Sequence, residues 1–376
     1  MAGNAYPSAF PAFFHEAPMR KALLSLLLCL AAAASLQGQP LRLLAGCYND
    51  DSPETPGAYL LRFDPQDGGT VQLAAAATRN PSFIIPSADG RFAWSVCEFH
   101  DGTQGAYAYS LSPDGLAPLG FQSNCPDGTG GGDPCNILYL NGFVLTADYT
   151  GGAVSVFPVL PDGSLGPLCR RFDFGEGSHI HCCMVSPDGR YVFASDLGCD
   201  LIRRFPIQAG EIPVGEPEIA FSATPGSGPR HFVFSADGRF CYLLGELGDT
   251  LTVLRYDDGS LTPVQELKAY RGRGKGSADI HFSPDGRFLY TSHRLRRDGI
   301  ATFRVDPQSG KVRRAGFRRT GAHPRNFAIS PDGRWLLCAC RDADAIELYA
   351  IRPRSGRLRR TGRTIPLHRP VCVQFL

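Results

Sequence analysis

The sequence predicts an all-β chain folded as a seven-bladed β-propeller, with four antiparallel strands per blade and the ring closed by pairing of its N- and C-terminal strands. Three observations lead there. A turn recurs as PSADGRF near residue 89, SPDGRY near 188, SADGRF near 237, SPDGRF near 285 and SPDGRW near 332, with a weaker copy, YLNGF, near 141. With Asp89, Asn141, Asp188, Asp237, Asp285 and Asp332 as anchors, the spacings are 52, 47, 49, 48 and 47 residues, and self-similarity at such a period marks a repeated supersecondary unit. Composition agrees: 43 Gly and 30 Pro among 376 residues, with 43% apolar and only 20% charged, exclude a disordered or collagen-like chain and indicate a packed chain rich in turns.

Within one unit the order is a short apolar stretch (HFVF), an Asp-Gly turn, then RFCYLLGE, TLTVLRYDDG and LTPVQELKAY. Asp-Gly between apolar runs is the strongest short-range hairpin signal, because Gly accepts positive φ. Four strands per unit at this period are propeller blades. Setting aside residues 1–38 leaves 338, about seven times 48. Six anchors are visible, so the seventh blade is assembled from both ends: LRLLAGCY and GAYLLRFD at the start, RPVCVQFL at the finish. Joining first and last strands also removes an exposed sheet edge.

Ahead of the repeats, MRKALLSLLLCLAAAASLQGQ begins at Met19 with Arg20 and Lys21, followed by an apolar run from Ala22 to Ala34 and then small and polar residues. That is the pattern of a secretory signal peptide, too short for a membrane span of about 20 residues. Residues 1–38 are thus read as an extension and signal peptide, with Met19 a candidate start, and residues 39–376 as one propeller. The expected location is periplasmic or secreted if this segment is a signal peptide and cytoplasmic otherwise, without stable membrane insertion.

The net charge of +2 conceals about −14 over residues 1–267 followed by +16 over 268–376. The Arg pairs of the basic part (Arg296 and Arg297, Arg313 and Arg314, Arg318 and Arg319, Arg359 and Arg360) fall in turns and outer strands with little aromatic interleaving. A solvated exterior fits them better than a nucleic-acid surface. The 13 Cys form no spacing that resembles a zinc site, and adjacent Cys182 and Cys183 point to opposite faces of a strand. Cys241, Cys338, Cys340 and Cys372 lie in apolar strand patterns and read as small buried hydrophobes. No metal or other cofactor is expected. Cys125 and Cys135 flank PDGTGGGDP; a bond across it is one reading and free thiols the stronger one. That loop lacks the Gly-Lys-Ser or Gly-Lys-Thr ending of a phosphate cradle.

In a propeller the first strand of each blade lines the axis, so the start of the first strand and the end of the second meet at one rim. Seven positions before the anchors lie Ser82, Pro134, His181, Arg230, Ala278 and Arg325; nine after lie Glu98, Thr150, Leu197, Glu246, Arg294 and Arg341. One step away are Tyr149, Asp196, Asp279, His231, His293 and Asn326. Three consecutive blades thereby bring an imidazole, two guanidiniums and a carboxylate (His181, Arg230, Arg294, Glu246) to one rim, with Arg325 and Glu98 as further contacts. Such a set suits hydrolysis or formation of an ester-like bond: Arg binds carboxylate or phosphate and stabilises an oxyanion, and a carboxylate or imidazole takes a proton from water. No Gly-x-Ser-x-Gly elbow indicates a Ser nucleophile.

The segments GSHIHCCMVSPDGRYVFASDLGCDLI, GPRHFVFSADGRFCYLLGELGDTLTV, SADIHFSPDGRFLYTSHR and HPRNFAISPDGRWLLCACRDADAIELY resemble the seven-bladed propeller lactonases, a family that includes bacterial 6-phosphogluconolactonase and the fungal carboxymuconate-lactonizing enzyme. The likeness covers almost all of residues 41–376. It implies metal-independent hydrolysis of a sugar lactone, phosphorylated or not, to the open acid. It also matches His181, Arg230, Glu246 and Arg294 to the family's active-site positions, with Glu246 or His181 as general base and Arg230 and Arg294 binding the anion. Two departures stand out: Asn136 where the family usually has His, and Asp148 where it has Asn, a carboxylate expected beside the rim with an effect on substrate choice. The competing class is a propeller that binds or assembles without catalysis.

Overall fold

The repeated Ser-x-Asp-Gly-Arg turns owe their composition to a shared set of hydrogen bonds. In the turn after His181's strand, Ser186 Oγ donates to Asp188 Oδ1 (2.6 Å) and accepts from Tyr191 N–H (3.0 Å), while Arg190 N–H donates to the same carboxylate oxygen (3.1 Å). Gly189 sits at φ 70°, where a side chain would be strained. Equivalent Ser–Asp bonds hold the turns at Ser87, Ser235, Ser283 and Ser330. The YLNGF turn differs. Asn141 and Gly142 both have positive φ (48° and 85°) and join their strands in a two-residue hairpin.

The computed structural model describes residues 39–270 and 275–376; the signal-peptide reading of residues 19–38 lies outside them. Among the described residues, twenty-eight strands form seven four-stranded antiparallel sheets. The strands that begin the blades are β4 (Ile84–Pro86), β8 (Pro134–Leu140), β12 (Ile180–Val185), β16 (Pro229–Phe234), β20 (Ser277–Phe282), β24 (Pro324–Ile329) and β28 (Pro370–Phe375). The last of these pairs with β1 (Leu41–Cys47), from Leu43 opposite Phe375 to Cys47 opposite Pro370, so the first blade takes one strand from the end of the chain and three from its start. Trp335 of the neighbouring blade ties itself to this one, its indole N–H donating to Pro65 O at 2.8 Å.

The core is divided among the seven boundaries between neighbouring blades, each filled by its own apolar cluster. Alternate residues of a strand serve opposite boundaries: on β17 (Phe240–Gly245), Phe240, Tyr242 and Leu244 pack forward while Cys241 and Leu243 pack back. Burial on both faces explains why these strands read as continuous apolar runs rather than alternating ones. Cys182 and Cys183 likewise enter different clusters. The cysteines of the described residues are all free thiols, Cys125 and Cys135 among them.

At three boundaries a buried aromatic latches one blade to the next by donating to a hairpin carbonyl: Trp94 to Gly163 (3.0 Å), Tyr242 to Gly310 (2.7 Å) and Tyr290 to Gly356 (2.8 Å). Arg313, Arg314, Arg318 and Arg319 lie on β23 (Val312–Arg319), and Arg359 and Arg360 on β27 (Leu358–Pro366), both outermost strands.

Leu337 is fully buried at the boundary that closes the ring. Leu337→Ala should cost about 2–5 kcal/mol of unfolding free energy, measured by denaturant titration.

Candidate active site

The rim residues reach the axis because the innermost strands break register where they enter it. Pairing skips between Pro134 and Asn136, Ile180 and Cys182, Pro229 and His231, and Pro324 and Asn326. The skipped residues are Cys135, His181, Arg230 and Arg325. A bulge of this kind re-aims the side chain it carries. Across the hairpin, Glu98, Tyr149, Leu197, Glu246 and Arg294 each follow the last residue of a second strand. In the blade with the shorter hairpin both positions move by one, so Cys135 and Tyr149 occupy the places expected for Pro134 and Thr150.

Glu246 joins two blades through two guanidiniums. Its Oε1 accepts from Arg294 Nη2 at 2.7 Å, and its Oε2 lies 2.7 Å from Arg230 Nε. Arg230, 1% exposed, also donates from Nη1 to Ala278 O of the following blade. Burial would raise the Glu246 pKa, but Arg294, Arg230 and Arg325 outweigh it and hold the carboxyl below its ordinary value. Burial brings the Arg294 guanidinium down to about 10. Arg294 Nη1 meets His323 Nε2 at 3.1 Å. A guanidinium only donates, so that nitrogen accepts. Burial, followed by Arg294, holds His323 at about 3 and therefore neutral.

Arg325 supplies a second pair. Its Nη2 lies 3.3 and 3.4 Å from the two oxygens of Glu98, which also accept from Tyr48 Oη (2.7 Å) and Ser82 Oγ. The Tyr48 ring stacks under the guanidiniums of Arg325 and Arg369 at 5.4 and 5.5 Å.

His181 stands among these charges with its ring edge against Tyr149 and His231 (centroids 5.6 and 5.2 Å) and Nδ1 3.7 Å from Cys135 Sγ. Burial, then Arg230 and Arg325, hold its pKa well below the usual imidazole value, so the ring is neutral. Three guanidiniums, two carboxylates and a neutral imidazole therefore share one mouth, with a net charge near +1. Among the described residues no group of three or more His, Cys, Asp and Glu could hold a metal ion.

The six residues expected at the site, Glu246, His181, Arg230, Arg294, Arg325 and Glu98, all line this mouth. Arg341 does not join them; its Nε pairs with Asp342 Oδ1 at 2.6 Å. Thr150 bonds to Asp133 instead. Asp148 is a correction to the sequence reading. It ends β9 (Phe143–Asp148), and its carboxyl turns into the blade, accepting from Thr146 (2.8 Å) and Ser155 (2.6 Å). Burial lifts it to about 7. Strand alternation directs position 148 away from the axis and position 149 toward it, so the carboxylate does not border the pocket.

Asn136 is a structural staple whose Oδ1 accepts from Cys183 N–H of the next blade at 3.0 Å. Tyr48 was missed because no anchor turn joins the first two strands of its blade, the two chain ends standing there instead; the match of Cys47-Tyr48 to Cys97-Glu98 was the available signal. His323, nine positions before Asp332, shares its place with His179 before Asp188, and that match was its signal.

Fold and mouth together define a seven-bladed propeller that gathers three guanidiniums, two carboxylates and a neutral imidazole at its axis. The family model "Lactonase, 7-bladed beta-propeller" matches residues 42–375. Proteins named 6-phosphogluconolactonase from Formosa agariphila and Bacillus subtilis are each 31% identical, over 85% and 88% of this chain and 94% and 97% of theirs. The structure of the Pseudomonas aeruginosa periplasmic gluconolactonase superposes with a TM-score of 0.82 at 31% identity, covering 90% of this chain and 99% of that one. The chain belongs to the seven-bladed β-propeller lactonase family, hydrolases of a lactone ester.

Because the Glu246 carboxyl is depressed in the folded state, the stability it lends is present above its unfolded pKa and lost as pH falls through the folded value. Glu246→Gln should cost about 3 kcal/mol near pH 7, since it leaves two buried guanidiniums short of a partner. It should also flatten the acid side of the stability profile, read by urea unfolding at several pH values.

Proposed function

We propose that the chain hydrolyses a sugar lactone, such as 6-phosphogluconolactone or the unphosphorylated gluconolactone, to the open acid without a metal. The observation that carries the reading is the convergence of Arg230 and Arg294 on Glu246 beside a neutral His181. Attack of water on a lactone carbonyl builds an oxyanion, and collapse yields a carboxylate. Either is a single negative charge, matched to a mouth of net charge near +1. Arg230 and Arg294, preorganised and shut from water, stabilise that charge as it forms. Arg325 with Glu98 binds and orients the rest of the substrate.

Both oxygens of Glu246 are taken up by guanidiniums, so its role is to align them. His181 Nε2 has no partner among the described residues and accepts a hydrogen bond from the attacking water. Export fits the leader at residues 19–38, and the periplasmic location of the Pseudomonas relative is consistent with it. An exported enzyme meets unphosphorylated aldonolactones more readily than sugar phosphates, which favours gluconolactone.

Purified mature protein should accelerate acid release from at least one of the two lactones in a pH-stat assay, above the spontaneous rate. Arg230→Ala and Arg294→Ala should each lower kcat/KM roughly 10²- to 10³-fold. Rates equal to the buffer blank for the intact protein on both substrates would remove this reading for them. Amino-terminal sequencing of protein from the host tests cleavage after Ala34 or Gly38.

A further inference from the structure

Behind His181 lies a second imidazole that the rim alone does not explain. His231 follows Arg230 on β16, and its Nδ1 is 2.8 Å from Asp279 Oδ1 of β20. A carboxylate can only accept, so Nδ1 carries the hydrogen and Nε2 keeps a lone pair. That Nε2 is buried and meets no donor from the protein. The ring is wedged between His181 (5.2 Å) and Phe83 (6.1 Å), which comes from β4's blade on the far side of the axis. An orphaned buried acceptor is costly and calls for a cause.

Asp279 is built to stay charged. Its Oδ1 also accepts from Ile280 N–H (2.9 Å), and its Oδ2 receives Asn326 Nδ2 (2.7 Å), Phe327 N–H (3.1 Å) and His281 Nε2 (2.9 Å). Burial opposes the anion, but His281 and His231 outweigh it and hold the Asp279 carboxyl far below its ordinary range.

We infer that His231, fixed by Asp279, is the proton acceptor for the attacking water, with His181 holding that water from its other side. This inference rests on the lactonase reading. Water's O–H bond breaks as its oxygen bonds to the carbonyl carbon, and the proton goes to His231 Nε2. Collapse breaks the bond between carbonyl carbon and ring oxygen; the ring oxygen takes the proton back from Nε2 and leaves as a hydroxyl, and the new carboxylic acid ionises to solvent.

Electrostatics favour His231 over His181 for this step. An imidazolium at His181 would face Arg230 and Arg325 with no carboxylate bonded to it, whereas one at His231 gains Asp279. The groups that face His231 are Arg230 on its own strand, His181 on β12, and Asp279 and His281 on β20. Burial and Arg230 hold its pKa at about 4 against the pull of Asp279, so it is a free base at neutral pH.

His231→Gln, shown to be folded by circular dichroism, should lower kcat roughly 10²- to 10³-fold with KM little changed. Asp279→Asn removes the anion that supports the imidazolium, so the acid limb of kcat/KM should move to lower pH while kcat falls. A kcat for His231→Gln within about threefold of the intact enzyme, or an unmoved limb in Asp279→Asn, overturns the inference. Histidine side-chain ¹⁵N spectra give a readout that needs neither turnover nor a folded variant. At neutral pH the intact protein should show His231 hydrogen-bearing at Nδ1 and bare at Nε2, with the Nε2 signal shifting as gluconate is added. A hydrogen on Nε2, or no shift at any gluconate concentration, overturns it too. Absence of lactone hydrolysis by the intact protein is the separate failure of the lactonase reading.

Discussion

No blade of this protein can bury both of its faces alone, and every other feature depends on how neighbours meet that need. The second strand of a blade sends alternate side chains forward and back, so that Phe240, Tyr242 and Leu244 belong to one boundary and Cys241 and Leu243 to another. Seven boundaries close on themselves only if the last strand of the chain lies beside the first. The indole and phenol latches to the next blade's hairpin add direction to what apolar burial supplies without it. A circle so held fixes the axis, and with it the place where side chains from different blades can meet.

The mouth uses the ends of strands, where the ladder is free to break. A bulge costs one pairing and swings His181, Arg230 and Arg325 toward the axis. Guanidiniums buried to this degree need counter-charges, and these come from the residues just past the second strands, Glu246 and Glu98. Glu246 bridges arginines of two blades, which ties the local ion pair to the global ring. The same burial, with the same cations, keeps His181, His231 and His323 neutral. Fixed positive charge thus stands beside neutral imidazoles, and the proposed attack of water on an ester carbonyl rests on that division.

Below the mouth, a ring of polar side chains joins one innermost strand to the next. Asn136 and Asn326 accept backbone N–H groups of the following blade, and Asp279 does the same for Phe327. Asp279 also holds His231, a bond that Asn136 and Asn326 have no counterpart of.

The repeat period, the turn chemistry and the split last blade were determined by the sequence, because each is set by residues close in the chain: Ser, Asp and Gly within five positions, and apolar runs of strand length. A fixed count from each anchor also found His181, Arg230, Glu246, Arg294, Arg325 and Glu98, since blades of equal length place equal positions on equal rims. Tertiary structure alone decided the partners. Pairing of Glu246 with Arg294 spans 48 residues, and that of Glu98 with Arg325 spans 227, separations over which no local pattern reports which charge meets which. It decided too that Asp148 turns inward, that Tyr48 takes the place its missing turn concealed, and that His231 keeps a bare nitrogen. Each of these depends on which face of a strand a residue presents and on what the next blade sets against it.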